Sequence, residues 1–464
     1  MSSDHTSINA PLPRPAPTAP RDYSFPRFER HALANGLQLV VAQVTKLPLV
    51  TISAVVDAGA ARERSGEAGV AALAAQLLLE GAAGLDGAAL VDRFERIGTS
   101  VDAHAEWDTA TVTLTALSQR LPEALTLVRD LLRAPVFPER EVSRLRNERL
   151  AEILQQRAEP GALADEQFAR AVYVPTARYA TPAGGTAASV RALTRDVVRA
   201  FYQEHYQPAS TTIVFAGDIS MSDATSLAER LFGDWRGGES PGAAEGIDSS
   251  PATSLVRVVA KADAPQSEVR IGHVGLPRRH PDYFDVTVMN AVLGGLFSSR
   301  INLNLREAHG YTYGAFSAFE WRRAAGPFMI HTAVKSDVTG AAVREILNEI
   351  EGMRTTEIGE TELTLATSYL DGVFPIRYET TNAIAAALAN LVIHDLPEDY
   401  YDRYRGRVRG VTTAGVLQAA QRHLHPEQLR IVVVGDPTVI SEPLRDATRG
   451  QVEVVNADGA EVAA

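Results

Sequence analysis

Two stretches of this chain carry the same signals in the same order. ALTRDVVRAFYQEHYQPASTTIVFAGDIS lies in the first half and GVTTAGVLQAAQRHLHPEQLRIVVVGDPT in the second. Thr194 corresponds to Thr412, Pro208 to Pro426, and Gly217-Asp218 to Gly435-Asp436. The offset is 218 each time (412−194, 426−208, 435−217). A constant offset through a helix, a proline turn and a strand means a duplicated unit of about 200 residues, within the usual domain size. Two large copies exclude a solenoid, which stacks many short repeats.

The 464 residues suffice for two such units. Apolar residues make up 45% and charged residues 22%, enough to bury ordinary cores. The net charge of −12 disfavours nucleic acid and anionic membranes as partners. The absence of cysteine removes disulfides, thiol catalysis and cysteine-ligated zinc. No apolar run has the roughly 18 residues that a membrane helix needs.

Taken in order, residues 1–26 form a Pro-rich arm (PLPRPAPTAP) without the apolar core of a signal peptide. The expected compartment is the cytoplasm, or the periplasm had a leader been removed. Residues 27–236 form the first unit. Asn35-Gly36 between alternating apolar runs predicts a hairpin. Leu47–Gly59 reads as a strand, and Gly69–Leu79, bounded by Gly69 and Gly81, as a helix. Leu85–Ile97, Pro122–Leu132, Glu139–Gln156 and Thr194–His205 read as further helices, with two strands between Val101 and Leu117. Residues 237–254 (GGESPGAAEGIDSSPATS) form a linker. Residues 255–450 form the second unit, and 451–464 read as a loose tail. The fold expected is α+β, two homologous domains, each a mostly antiparallel sheet flanked by helices.

The histidine pattern is informative by what it lacks. No two of the eleven histidines are four apart, so neither H-x-x-E-H nor H-E-x-x-H occurs. Such pairs put two imidazoles on one helix face toward one Zn²⁺. His423 and His425, just before Pro426, read as a polar helix end.

The two α/β units, the helix after the second strand, and LGGLFSSRINLNLREAHGYTYGAF in the second unit resemble the pitrilysin/insulinase zinc metallopeptidases, and among them the short two-domain subunits. The resemblance runs from about residue 28 to 440. That family carries H-x-x-E-H on its first-domain helix. With the helix-flanking glycines aligned to Gly69 and Gly81, the motif falls on Ala72, Ala75 and Gln76, so all three chemical positions are changed. The family's third ligand, a glutamate on a later helix, falls on Glu152 and is orphaned. Arg149 and Arg157 are expected beside it.

The resemblance also implies a pair in the second domain, an arginine at a helix end and a tyrosine seven residues on, in the following strand. Here these are Arg306 and Tyr313, with Tyr311 on the same strand face as an alternative phenol. A guanidinium and a phenol can hold a peptide carbonyl and stabilise its oxyanion. The expectation is a non-catalytic subunit, half of a clam-like heterodimer. Its homologous partner would carry H-x-x-E-H and the zinc, and this chain would bring Arg306 and Tyr313 into that site against an extended peptide. No cofactor is expected in this chain, and self-association as a homodimer is left open. The alternative is a structural or binding subunit of a larger complex with no peptidase role.

Overall fold

The computed structural model describes residues 22–238 and 254–462. Most of the expected arm and linker therefore lie outside the described residues. Two six-stranded sheets form the frame. The first holds β1 (Glu29–Ala32), β2 (Gln38–Gln43), β3 (Leu49–Val56), β4 (Val101–Ala105), β5 (Ala110–Leu117) and β6 (Thr211–Gly217), ordered β1-β2-β6-β3-β5-β4. The second holds β7 (Leu255–Ala260), β8 (Gln266–Val274), β9 (Ala315–Phe319), β10 (Pro327–Lys335), β11 (Arg430–Gly435) and β12 (Val452–Val455), ordered β12-β7-β11-β8-β10-β9. The orders match over five strands, β2-β6-β3-β5-β4 with β7-β11-β8-β10-β9, and differ at the edge, where β1 is antiparallel to β2 but β12 is parallel to β7. Both sheets are mostly antiparallel, with β2 and β6 parallel in one and β7 and β11 parallel in the other.

The duplication holds at the level of single residues. Thr194 caps a helix by accepting from Val197 N, and Thr412 caps its counterpart by accepting from Gly415 N. Pro208 and Pro426 each open a 3-10 turn, and Gly217 and Gly435 each end a central strand. The Asn35-Gly36 turn joins β1 to β2 as an antiparallel hairpin, with Gly36 at φ +92°.

Eight of the helices carry or frame the candidate residues: α1 (Val70–Leu77), α2 (Glu139–Ala158), α3 (Pro160–Val172), α4 (Arg195–His205), α5 (Tyr283–Asn290), α6 (Glu360–Arg377), α7 (Thr381–Ile393) and α8 (Thr413–His423). The halves exchange helices. α3, from the first half, packs on β8 and β11 of the second sheet. α7, from the second half, packs on β3 and β6 of the first. Each sheet is thus covered on both faces, which is why β6 (TTIVFAG) and β11 (RIVVVG) are buried at every position. Ile213 and Phe215 face the first core, while Val214 and Ala216 face the core shared with α7.

Two expectations need correction. The tail expected to be loose contains β12, which runs parallel to β7 and closes on itself through a Val455–Glu461 bridge. The VEVV run supplies the β-branched residues, and the turn before Gly459 (φ +84°) reverses the chain. The arm ends earlier than residue 26. Phe25 is buried and stacks on Tyr401, and Tyr23 meets Phe374 edge-on, so the chain enters across the second half. Among the described residues, no helix is long and apolar enough to cross a membrane.

Candidate functional site

α1 starts from a strained point. Gly69 has φ +98°, and a side chain there would strike Gly184 O at 2.8 Å. The first amides of the helix are met by a buried carboxylate. Glu63 accepts from Gly69 N (3.0 Å) and Ala71 N (2.8 Å) and from Arg178 Nε (2.6 Å). Arg178 also donates to Thr181, Pro182 and Ala183. The helix is therefore fixed in place, and its chemistry depends on the side chains it displays.

Those side chains do not fit a zinc ion. Ala72 is half-buried, Ala75 buried and Gln76 exposed, so two methyl groups and a carboxamide stand where the resemblance leads one to expect the motif. Glu152, on α2, lies 3.1 Å from Arg149 Nη1, and the same guanidinium also holds Gly184 O. Arg157, expected beside Glu152, instead pairs with Asp458 and Glu166. No reaction step can be routed through a metal on these residues.

The second-domain pair sits on irregular backbone. Two π-helical turns, Ala291–Gly295 and Leu303–Ala308, flank the LFSSR segment; such turns often occur at functional sites. Arg306, on the second, lies over the Phe297 ring at 4.4 Å and is 3.7 Å from Glu307. Its Nη1 is buried without an acceptor. Gly310 N and Tyr311 N donate to Arg306 O and Leu305 O, and Gly310 (φ +66°) turns the chain out of the helix.

The tyrosines precede β9 rather than lie in it, which corrects the expected shared strand face. Tyr311 is half-buried and stacks on His309, whereas Tyr313 is 94% exposed. Its loop is held from behind. Thr332 Oγ1 donates to Gly314 O (2.9 Å), and Asn302 Oδ1 accepts from Ala315 N (3.1 Å). The phenol is therefore presented on a fixed loop, with Arg306 at the loop's other end.

One constellation is assembled only by the fold. His423, at the end of α8, donates through Nε2 to Asp282 Oδ2 (2.7 Å), and His280 lies beside them, ring centroids 5.0 Å apart. The hydrogen bond to His423 holds Asp282 below the usual carboxylate range, and burial holds His423 below the usual imidazole range. The H-P-D spacing of His280-Pro281-Asp282 is the available signal, but its partner is 141 residues away.

The fold defines a duplicated two-domain α+β architecture, and comparison with known proteins assigns it to a family. Residues 39–181 match the family model for insulinase (peptidase family M16), and residues 192–370 match that for the peptidase M16 inactive domain. The chain belongs to peptidase family M16. It is 23% identical over 356 residues to an uncharacterized zinc protease of Bacillus subtilis, covering 77% of this chain and 86% of the relative. It is 27% identical over 278 residues to a probable mitochondrial-processing peptidase subunit beta of Schizosaccharomyces pombe, covering 58% and 60%. Among solved structures, a peptidase M16 inactive domain from Pseudomonas fluorescens superposes with TM-score 0.83 at 26% identity, covering 88% of this chain and 98% of that one. A chain of complex III2 from Candida albicans shares the fold, with TM-score 0.75 at 13% identity over 90% and 99%.

Proposed function

We propose that this M16 chain is the non-catalytic subunit of a heterodimeric zinc metallopeptidase. Its partner is a homologous subunit with an intact H-x-x-E-H helix and the zinc. Arg306 and Tyr313 enter that partner's site, where they hold the carbonyl of an extended peptide and stabilise the oxyanion formed on it. The observation that carries this reading is the contrast between the two halves. The first-domain helix displays Ala72, Ala75 and Gln76, while the second domain displays a fully exposed Tyr313.

The outer face of α6 supports a partner. Leu365, Tyr369 and Ile376 are exposed there, with Thr364, Ser368 and Gly372 between them and no charge. α2, its counterpart in the first half, is studded with arginine and glutamate. Loss of charge from one of two equivalent helices marks a covered surface. The alternative of a purely structural subunit calls for Tyr313 to be a packing residue, and its exposure weighs against that.

The test is a peptide-cleavage assay on this chain, on a candidate partner, and on their mixture. The mixture is expected to cleave with zinc dependence, with little activity from either component. A mixture no more active than the partner alone overturns the proposal.

A further inference from the structure

The first-domain helix offers no metal ligands, but the second half gathers three. His280 precedes α5, Asp282 is the residue before its first turn, and His423 ends α8. Each offers one ligand atom, and the three atoms lie within 4.8 Å of one another. Among the described residues, no other group of three such side chains is gathered in this way. We propose that His280, Asp282 and His423 form a binding site for a divalent first-row transition metal, zinc foremost, which pins the start of α5 to the end of α8.

The donor set fits that class of ion. Two imidazoles and one carboxylate suit zinc, nickel, cobalt and copper, whereas magnesium and calcium prefer oxygen throughout. A tetrahedral zinc ion with bonds of about 2.1 Å sets its ligand atoms roughly 3.4 Å apart. The Asp282–His423 pair stands at 2.7 Å, and the His280 ligand atom lies within 4.8 Å of both. The Asp282 and His423 side chains are 17% and 10% exposed, sheltered but reachable.

Three neighbouring groups shape the site. Arg422 Nη1 lies 2.9 Å from Asp282 Oδ2, and its side chain is 52% exposed. Ligating carboxylates are commonly hydrogen-bonded by such outer groups. Asp285, one turn along α5, adds a second carboxyl nearby, held above its usual range by burial and by Asp282. His280 Nδ1 accepts a long hydrogen bond from Asp282 N (3.1 Å), which leaves Nε2 to ligate unless that bond is given up. Ligation through His423 Nε2 requires the neutral ring with its proton on Nδ1, so protonation of the ring competes with the metal.

The site is independent of the proposed subunit role and is tested on the full chain alone, without peptide. Cobalt(II) is titrated into chelator-treated protein and followed by visible absorption, with zinc competition and calorimetry. The expected result is one equivalent of cobalt with ligand-field bands, displaced by zinc, and a rise in thermal midpoint that a chelator reverses. His280→Ala and His423→Ala should each weaken binding more than tenfold, while His309→Ala leaves it unchanged. His280 lies outside the helices, so its variant tests the site even if His423→Ala fails to fold. Absence of saturable binding, or binding unaltered in His280→Ala, overturns the proposal.

Discussion

Glu63 and Arg178 form an ion pair, Nε to Oε2 2.6 Å, in which the carboxylate side chain is wholly buried. The pair ties the first turn of α1 to the loop that follows α3. Its geometry is saturated, since Glu63 accepts from two helix amides and Arg178 donates to three further residues. Removing one partner leaves an uncompensated buried charge, which costs about 3–5 kcal/mol. Arg178→Met should lower stability by that order in urea unfolding. A loss within experimental error of zero would show that the pair does not anchor the helix.

Tyr313 lies in solvent, so the fold does not depend on its hydroxyl. Tyr313→Phe should leave the thermal midpoint of this chain unchanged. In the mixture with a zinc-bearing partner, Tyr313→Phe and Arg306→Ala should each reduce kcat on the order of 10²-fold, the usual effect of losing one oxyanion donor. Tyr311→Phe should have little effect on turnover, because Tyr311 is stacked on His309. Steady-state kinetics of the three variants decide which phenol acts.

His273 gives the chain a pH-dependent stability. Its Nδ1 donates to Val274 O and its Nε2 accepts from His425 N, so both bonds together require the neutral ring. Burial lowers its pKa to about 4. His394 is likewise lowered to about 4 by burial. The unfolded imidazoles take up protons below about pH 6.5 while the folded ones do not, so stability is lost as pH falls from about 6.5 toward 4. The slope approaches about 1.4 kcal/mol per pH unit for each group. Urea midpoints at pH 7 and pH 5 should differ by more in the parent chain than in His273→Asn.

The duplicated caps can be compared directly. Thr194 accepts from Val197 N at 3.4 Å, and Thr412 from Gly415 N at 3.0 Å. Thr412→Ala should cost about 1 kcal/mol, and Thr194→Ala less, in chemical unfolding.

The frame is legible in the sequence because the repeat fixes it. Thr194 with Thr412, and Gly217 with Gly435, place equivalent helices and strands from residue order alone. The helix α1 is legible because an apolar run sits between Gly69 and Gly81, which punctuate its two ends. What cannot be read is long-range. Nothing local in Leu163 or Phe168 says that α3 crosses to the other sheet, because an apolar helix face does not name its partner. His280, Asp282 and His423 are brought together only by the packing of α5 on α8. The tail misleads for a different reason, since VEVV is too short to read as a strand until β7 offers it an edge. The irregular loop carrying Tyr313 reads as strand because tyrosine and threonine favour strands.

The most direct test of the subunit account uses the purified chain alone, with excess zinc and an unstructured fluorogenic peptide. Cleavage at the rate of the protein-free control is the predicted result, with activity appearing when a partner bearing H-x-x-E-H is added. Substantial cleavage by the single chain, abolished by a chelator and restored by zinc, would contradict it.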